Sequence, residues 1–288
     1  MLPAMAAKPR IAIVGAGNLG TALAVSLRRA GYVIESVIAR RRGAASRNAQ
    51  KLAKQVGAIA SVGLAVDSRT EVIWLCVPDG EIARAAQALA AKGKWKGKTA
   101  LHSSGALTSD ELDALRRRGA SVASVHPMMT FVKDSRPSLA GVPFAIEGDA
   151  AAVRVARRII NDLAGNAYPI GKKDKAAYHA WGAFASPLFT ALLATGEQVA
   201  AIAGVSHQEA RRRIIPILLQ TLANYAAFGA PGAFSGPIVR GDVDTVRRHL
   251  RALSEAPHAR EVYSALARAA LRYLPAKRRR NLARALRD

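Results

Sequence analysis

Residues 11–20 read IAIVGAGNLG: an apolar run, Ile11–Val14, then glycines at positions 15, 17 and 20, where a helical pattern begins. A triplet of this kind is weak evidence by itself. Directly after an apolar strand and directly ahead of a helix at Leu19–Arg29, it constrains the fold strongly, because each glycine has a separate mechanical task. Gly15 permits a tight turn. Gly17 removes a side chain where a pyrophosphate would approach the backbone. Gly20 lets the helix lie close to the sheet. Asn18 and Leu19 open that helix, whose free N–H groups and positive dipole end suit a phosphate.

The rest of the first half repeats the alternation. Short apolar runs at Val33–Ala39, Val72–Val77, Thr99–His102, Ser121–Val125 and Phe144–Ile146 read as strands. Helical patterns at Ala44–Val56, Glu81–Ala91, Ser109–Arg118 and Ala150–Leu163 accompany them, and residues 166–171 could add one more strand. Alternation on this scale predicts an α/β fold with a doubly wound, mostly parallel sheet over residues 1–171. From 172 to 288 the chain is rich in Ala, Leu and Ile at helical spacing, with breaks at Gly204–Ser206, Pro257 and Pro275, which predicts an all-helical domain.

The second strand ends on Ala39, Arg40, Arg41 and Arg42. A unit that binds NAD usually places a carboxylate there to hold the adenosine ribose, and Glu35 is too early in the strand to do so. Arginine matches phosphate oxygens bidentately and stays charged. The expected cofactor is therefore NADP, with Arg40 and Arg41 on the 2'-phosphate and Ser46 or Arg47 as helpers. The bland alternative is a basic loop that only faces solvent.

Further strand ends should converge on the same crevice. Val77 and Pro78 end one strand, and Asp79 is placed to cap the next helix. Ser103 and Ser104 follow His102, and His126 precedes Pro127 and Met128. Small polar groups and histidines at neighbouring strand ends suit a nicotinamide amide and a substrate head group, although each histidine could equally be structural.

The segments IVGAGNLGTAL, CVPDGEI, HSSGAL, SVHPMMTF, YHAWGAFAS and GPIVRGDVDTVRRHL run in this order from the first strand to Leu250. In that combination the chain resembles bacterial proteins with a Rossmann-like domain followed by a C-terminal domain of unknown function, labelled NADP oxidoreductases. More distantly it is similar to pyrroline-5-carboxylate reductase, ketopantoate reductase and 6-phosphogluconate dehydrogenase. The resemblance implies an N-terminal NADP domain and a helical domain that completes the active site and dimerises. The ketopantoate and hydroxyacid enzymes carry a lysine on the first long helix of the second domain, with an asparagine one turn on. Here Lys175 is followed one turn later by His179, and Pro187 stands near a position where relatives show asparagine.

His179 is therefore the expected proton donor, with His126 as the second catalytic candidate. Tyr178 and two residues of the helical half, Arg240 and His249, are the expected substrate contacts. Arg240 would be carried by a loop and could clamp a carboxylate. The reading is an NADP-dependent oxidoreductase acting on a small, anionic C=O or C=N substrate between the domains. A non-catalytic NADP-binding sensor is the alternative, favoured by the missing lysine–asparagine pair.

The formal charge of +23 raises nucleic acid as a partner. The basic runs at Arg116–Arg118, Arg211–Arg213 and Lys277–Arg280 are scattered, and aromatics at 5% are not interleaved with them, which argues for solvated helix faces. Cys76 alone cannot form an intramolecular disulfide, and no metal site is expected. No apolar stretch looks suited to crossing a membrane and no signal core precedes Ile11, so a cytoplasmic protein is expected. The apolar helical half should form a homodimer.

Overall fold

The computed structural model describes residues 7–64, 66–135 and 137–287. The chain divides into two compact units, Met1–Gly182 and Ala183–Asp288.

In the first unit the strands are β1 (Ile11–Val14), β2 (Ile34–Ala39), β3 (Ile59–Val62), β4 (Val72–Leu75), β5 (Thr99–His102), β6 (Ser121–Pro127), β7 (Pro143–Gly148) and β8 (Asn166–Pro169). They form one eight-stranded sheet in the order β3-β2-β1-β4-β5-β6-β7-β8. Pairing is parallel from β3 to β6, antiparallel between β6 and β7, and parallel again between β7 and β8. The helices are α1 (Asn18–Arg29), α2 (Ala44–Val56), α3 (Ile82–Ala90), α4 (Asp113–Arg116), α5 (Ala150–Asp162) and α6 (Lys175–Ala185), the last running just past the unit's end.

Burial explains why the central strands read as unbroken apolar runs. Ile11 and Ile13 of β1 belong to a core with Leu23, Leu27, Leu52 and Ile159, whereas Ala12 and Val14 belong to a second core with Ile82, Leu89 and Leu115. Helices α1, α2 and α5 cover one face, and α3 and α4 the other, so both pleats must be apolar. The edge strand β3 was not anticipated. It has only four residues, and Ile59 and Val62 are exposed, so no alternation or buried run marks it. The helix expected over 109–118 is instead a 3-10 turn, Ser109–Leu112, followed by the single turn of α4.

The second unit contains α7 (Pro187–Ile202), α8 (His207–Ala233), α9 (Pro237–Arg240), α10 (Val243–Ala252), α11 (Pro257–Tyr273) and α12 (Arg279–Ala285). Pro187 takes the first position of α7 and ends the preceding helix, as its missing N–H and fixed φ require. Val246, Leu250, Ala267, Leu282 and Leu286 form this unit's own core. The segment His207–Arg240 is long and apolar enough to cross a membrane on length and composition, and none of its apolar window is buried. It carries Pro216, Pro231 and a non-helical Gly229.

Candidate active site

The glycine turn lies at the carboxyl end of β1. Gly15 has φ +103°, and a Cβ there would stand 2.4 Å from the Cys76 carbonyl oxygen. A Cβ on Gly20 would stand 2.1 Å from the Gly15 carbonyl oxygen and 3.2 Å from the Cys76 Cβ. At Gly17 a Cβ would meet nothing within 4 Å. Two of the glycines are therefore demanded by the protein's own packing, while the third leaves open space above the backbone. Gly17 also caps α1 with no side-chain hydrogen bond, and the first turn holds no acid, so the helix N-terminus stays available to an anion. Asn18 donates from Nδ2 to the Phe131 carbonyl at 3.2 Å, tying the loop after β6 to the turn. Leu19 follows it, half-buried, in the first turn of α1. Gly17, Asn18 and Thr21 open onto a cavity of about 350 Å3 shared with Asn48, Lys51 and Lys133. These features fit a dinucleotide pyrophosphate.

Arg40 closes β2 and forms an ion pair with Glu81, whose other oxygen lies 3.7 Å from Arg84. Arg41 and Arg42 are exposed. Glu35, the early carboxylate of the same strand, is buried and paired with Arg10 and Arg69, so it is committed elsewhere. Val77 and Pro78 follow β4, and the Val77 side chain comes within 3.2 Å of where a Gly15 Cβ would be.

Asp79 does not cap α3. A 3-10 turn, Asp79–Glu81, precedes that helix, and the Asp79 carboxylate accepts a hydrogen bond from the Ser104 hydroxyl at 2.8 Å. The Ser104 hydroxyl in turn accepts from the Leu107 N–H at 2.9 Å. The Ser103 hydroxyl accepts from the Trp74 indole at 2.8 Å. Both serines thus have internal partners that fix the end of β5.

The histidines divide by environment. His102 is fully buried; Nδ1 accepts from the Ser104 N–H at 3.1 Å and Nε2 lies 2.9 Å from the Thr108 carbonyl oxygen. An N–H must face a carbonyl and a lone pair must face an N–H, so the ring is neutral with its proton on Nε2. Burial lowers its pKa to about 4. His126 is also driven down to about 4, by burial first and then by the neighbouring His179 and Lys175. Its Nδ1 lies 2.9 Å from the Tyr178 hydroxyl. Tyr178 is buried and its pKa is raised, first by that burial, so the phenol keeps its proton and holds the His126 ring in place through Nδ1.

His179 is exposed on α6, and its ring stands 5.8 Å from that of His126, nearly perpendicular to it. Between them lies Gly105. A Cβ on this glycine would sit 2.4 Å from His179 Cδ2 and 2.8 Å from His126 Nε2. The missing side chain is what lets the two imidazoles approach one another over the end of β5.

Lys175 has no exposed surface. Its ammonium donates to the Ser104 carbonyl at 3.0 Å and to the Ser124 hydroxyl at 2.7 Å, and burial pushes its pKa below the usual lysine range. The lysine is a pin that joins α6 to the ends of β5 and β6. Neither this role nor that of Gly105 was anticipated. Lysine at a helix start ordinarily reads as solvated, and the single local signal was a glycine directly after the two serines.

The two candidates in the helical half lie in the second unit. Arg240 is the last residue of the one-turn helix α9 rather than a loop residue, because Pro237 starts that turn and Gly241, with φ +72°, ends it. His249 lies on α10, with Nδ1 3.0 Å from the Tyr263 hydroxyl. Asp242 caps α10 by accepting from the Thr245 N–H.

Comparison with known proteins agrees with this architecture. Residues 4–127 match the Rossmann-like domain family, and residues 142–270 match DUF2520, a domain of unknown function. No curated protein matches the sequence. The chain is similar to BF3122 of Bacteroides fragilis, provisionally named an NADP oxidoreductase, at 21% identity and TM-score 0.75 over 91% of this chain and 97% of that one. It is similar to TM1727 of Thermotoga maritima at 22% identity and TM-score 0.69, over 96% and 100% of the two chains. A reductive aminase of Aspergillus terreus, solved with NADPH and ethyl-5-oxohexanoate, aligns at 18% identity and TM-score 0.63, over 92% and 94%. At these identities the likeness is one of fold.

Proposed function

We propose that this chain, a Rossmann-like domain joined to a DUF2520 domain, is an NADP-dependent oxidoreductase that reduces a small, anionic carbonyl or imine compound. The observation that carries the reading is the glycine turn: Gly15 and Gly20 are fixed by packing, while Gly17 leaves open space at an uncapped helix end. The provisional name of BF3122 and the NADPH bound to the reductive aminase support the same cofactor. Gly15, Gly17, Asn18, Leu19 and Gly20 would hold the pyrophosphate, and Arg40 and Arg41 the 2'-phosphate. Val77, Pro78, Ser103 and Ser104 would line its path along the strand ends. When bound, the reduced nicotinamide supplies a hydride.

The chain's own residues then divide the remaining work. His126, neutral and oriented by Tyr178, offers an N–H to the substrate's oxygen or nitrogen. His179, exposed on α6 beside His126, delivers the proton that the reduced product needs. The helical unit pairs with that of a second copy to make a homodimer.

The test is His179→Ala, with NADPH binding followed by fluorescence and NADPH oxidation followed across a panel of 2-oxo acids and cyclic imines. NADPH affinity is expected to stay within about threefold while turnover falls by ~10²–10⁴, the usual worth of a general acid. Unchanged turnover would remove His179 from the mechanism and favour His126. Tight NADPH binding by the unmodified chain with no turnover on any compound would favour the sensor.

A further inference from the structure

We propose that the amino-terminal edge of the first unit's sheet carries a second anion site, built on Lys92, Lys94 and Lys96 and suited to a small ligand bearing several phosphate groups. Residues 92–98 read KGKWKGK. This loop leads into β5, and residues 66–71 lead into the parallel neighbour β4. The two loops line an open cleft of about 530 Å3, within the range of small-molecule sites. It lies at the opposite end of the strands from the glycine turn, so it is separate from the site described above.

The loop is built rather than loose. Trp95 is 2% exposed, and its indole N–H donates to the carbonyls of Leu89 at 3.1 Å and Lys92 at 3.2 Å. The Lys98 ammonium donates to the carbonyls of Ser68 and Thr70, which fastens one wall to the other. Gly93 and Gly97 turn the chain with φ +94° and +80° on either side of the tryptophan. With Trp95 and Lys98 consumed in holding the loop, Lys92, Lys94 and Lys96 are left exposed, with no side-chain partner among the described residues.

The local charge is lopsided. Four lysines line the space against one carboxylate, Glu71, which already accepts the Arg10 N–H at 3.0 Å. The nearby Asp67 is paired with Arg69. Gly119 abuts Lys96, since a Cβ there would stand 3.2 Å from the Lys96 Cα, and this brings the exposed Arg117 and Arg118 to the same edge. Arg116 is different, being paired with Asp110, Asp113 and Asp149. Unpaired cations crowded on a fixed loop repel one another, and a multiply charged anion relieves that repulsion.

Lysine ammoniums act on phosphate as point charges and read nothing else. Trp95 is buried and presents no open face on which a base could stack. The chemistry therefore favours a compact polyphosphate-bearing molecule over a nucleic-acid strand.

Calorimetric titration of the full chain with inorganic tripolyphosphate at low salt tests this. Two variants that remove the same charge are compared with the unmodified chain: K92Q/K94Q/K96Q and, on the helical unit, K277Q/R280Q/R284Q. The glycine turn is intact in all three and cancels from the comparison. The loop variant is expected to bind at least about tenfold more weakly, a loss of ~1.4 kcal/mol or more, with the control little changed. Equal weakening in both variants, or none in either, would overturn the site. A single-stranded oligonucleotide bound through this loop by a chain that ignores tripolyphosphate would overturn the small-ligand assignment in favour of a nucleic-acid backbone.

Discussion

At the residue scale, Gly105 sets the geometry of the candidate site. Its absent side chain is the space in which His126 and His179 meet. Gly105→Ala would force a methyl group into two imidazoles, so it should destabilise the first unit by roughly 1–3 kcal/mol, as small-to-large changes in packed sites do. A thermal melt checks this; an unchanged midpoint would mean that the rings can move aside freely. The buried histidines make a second statement. His102 and His126 are neutral in the folded chain down to about pH 4, whereas an unperturbed imidazole takes a proton near ~6.5. Between these values the unfolded chain binds more protons, so their contribution to stability is complete above the upper value and is lost as pH falls toward the lower one. For His102 the full loss would be ~3 kcal/mol. NMR titration should find both rings still neutral at about pH 5; a protonated His102 there would contradict its hydrogen-bond pattern. The packing demands at Gly15 and Gly20 were legible in the sequence because they are local. The Lys175 pin and the Asp79–Ser104 bond were not, since they join residues 71 and 25 positions apart. No periodicity reports such distances.

At the scale of elements, most strands could be read because parallel strands covered on both faces are short apolar blocks between helices. β3 escaped because an exposed edge strand leaves no such block. The helices of the second half were legible from spacing and from proline breaks. What covers them was not. Ile214, Ile217, Tyr225 and Phe228 share one side of α8, and Ile215, Leu219 and Leu222 share another, all of them exposed. A helix apolar on more than one side belongs in an interior, and patches of this extent on soluble chains mark interaction surfaces. The proposed homodimer would supply that interior. Light scattering should give twice the 30.4 kDa chain mass, and Ile217→Asp with Leu222→Asp should give the monomer. A monomeric unmodified chain would refute the dimer, and one that partitions into lipid vesicles would assign the surface to a membrane instead.

At the scale of the whole molecule, the charge of +23 is distributed unevenly in function. Many arginines are consumed in pairs, such as Arg211 with Glu197, and Arg212 and Arg213 with Glu209. Others lie where an anion is expected, at the end of β2 and around the loop before β5. Arg40 is already held by Glu81, so Arg41 has the freer fork for a 2'-phosphate, with Arg40 beside it. Two charge-assisted hydrogen bonds, at roughly 1.5–3 kcal/mol each, would discriminate strongly between cofactors that differ by that phosphate. The direct measurement is fluorescence titration of the unmodified chain and of Arg41→Asp with NADPH and with NADH. The account predicts NADPH binding at least about tenfold tighter than NADH, with the gap narrowed or reversed in the variant. Equal affinities for the two cofactors, or no binding of either, would contradict it.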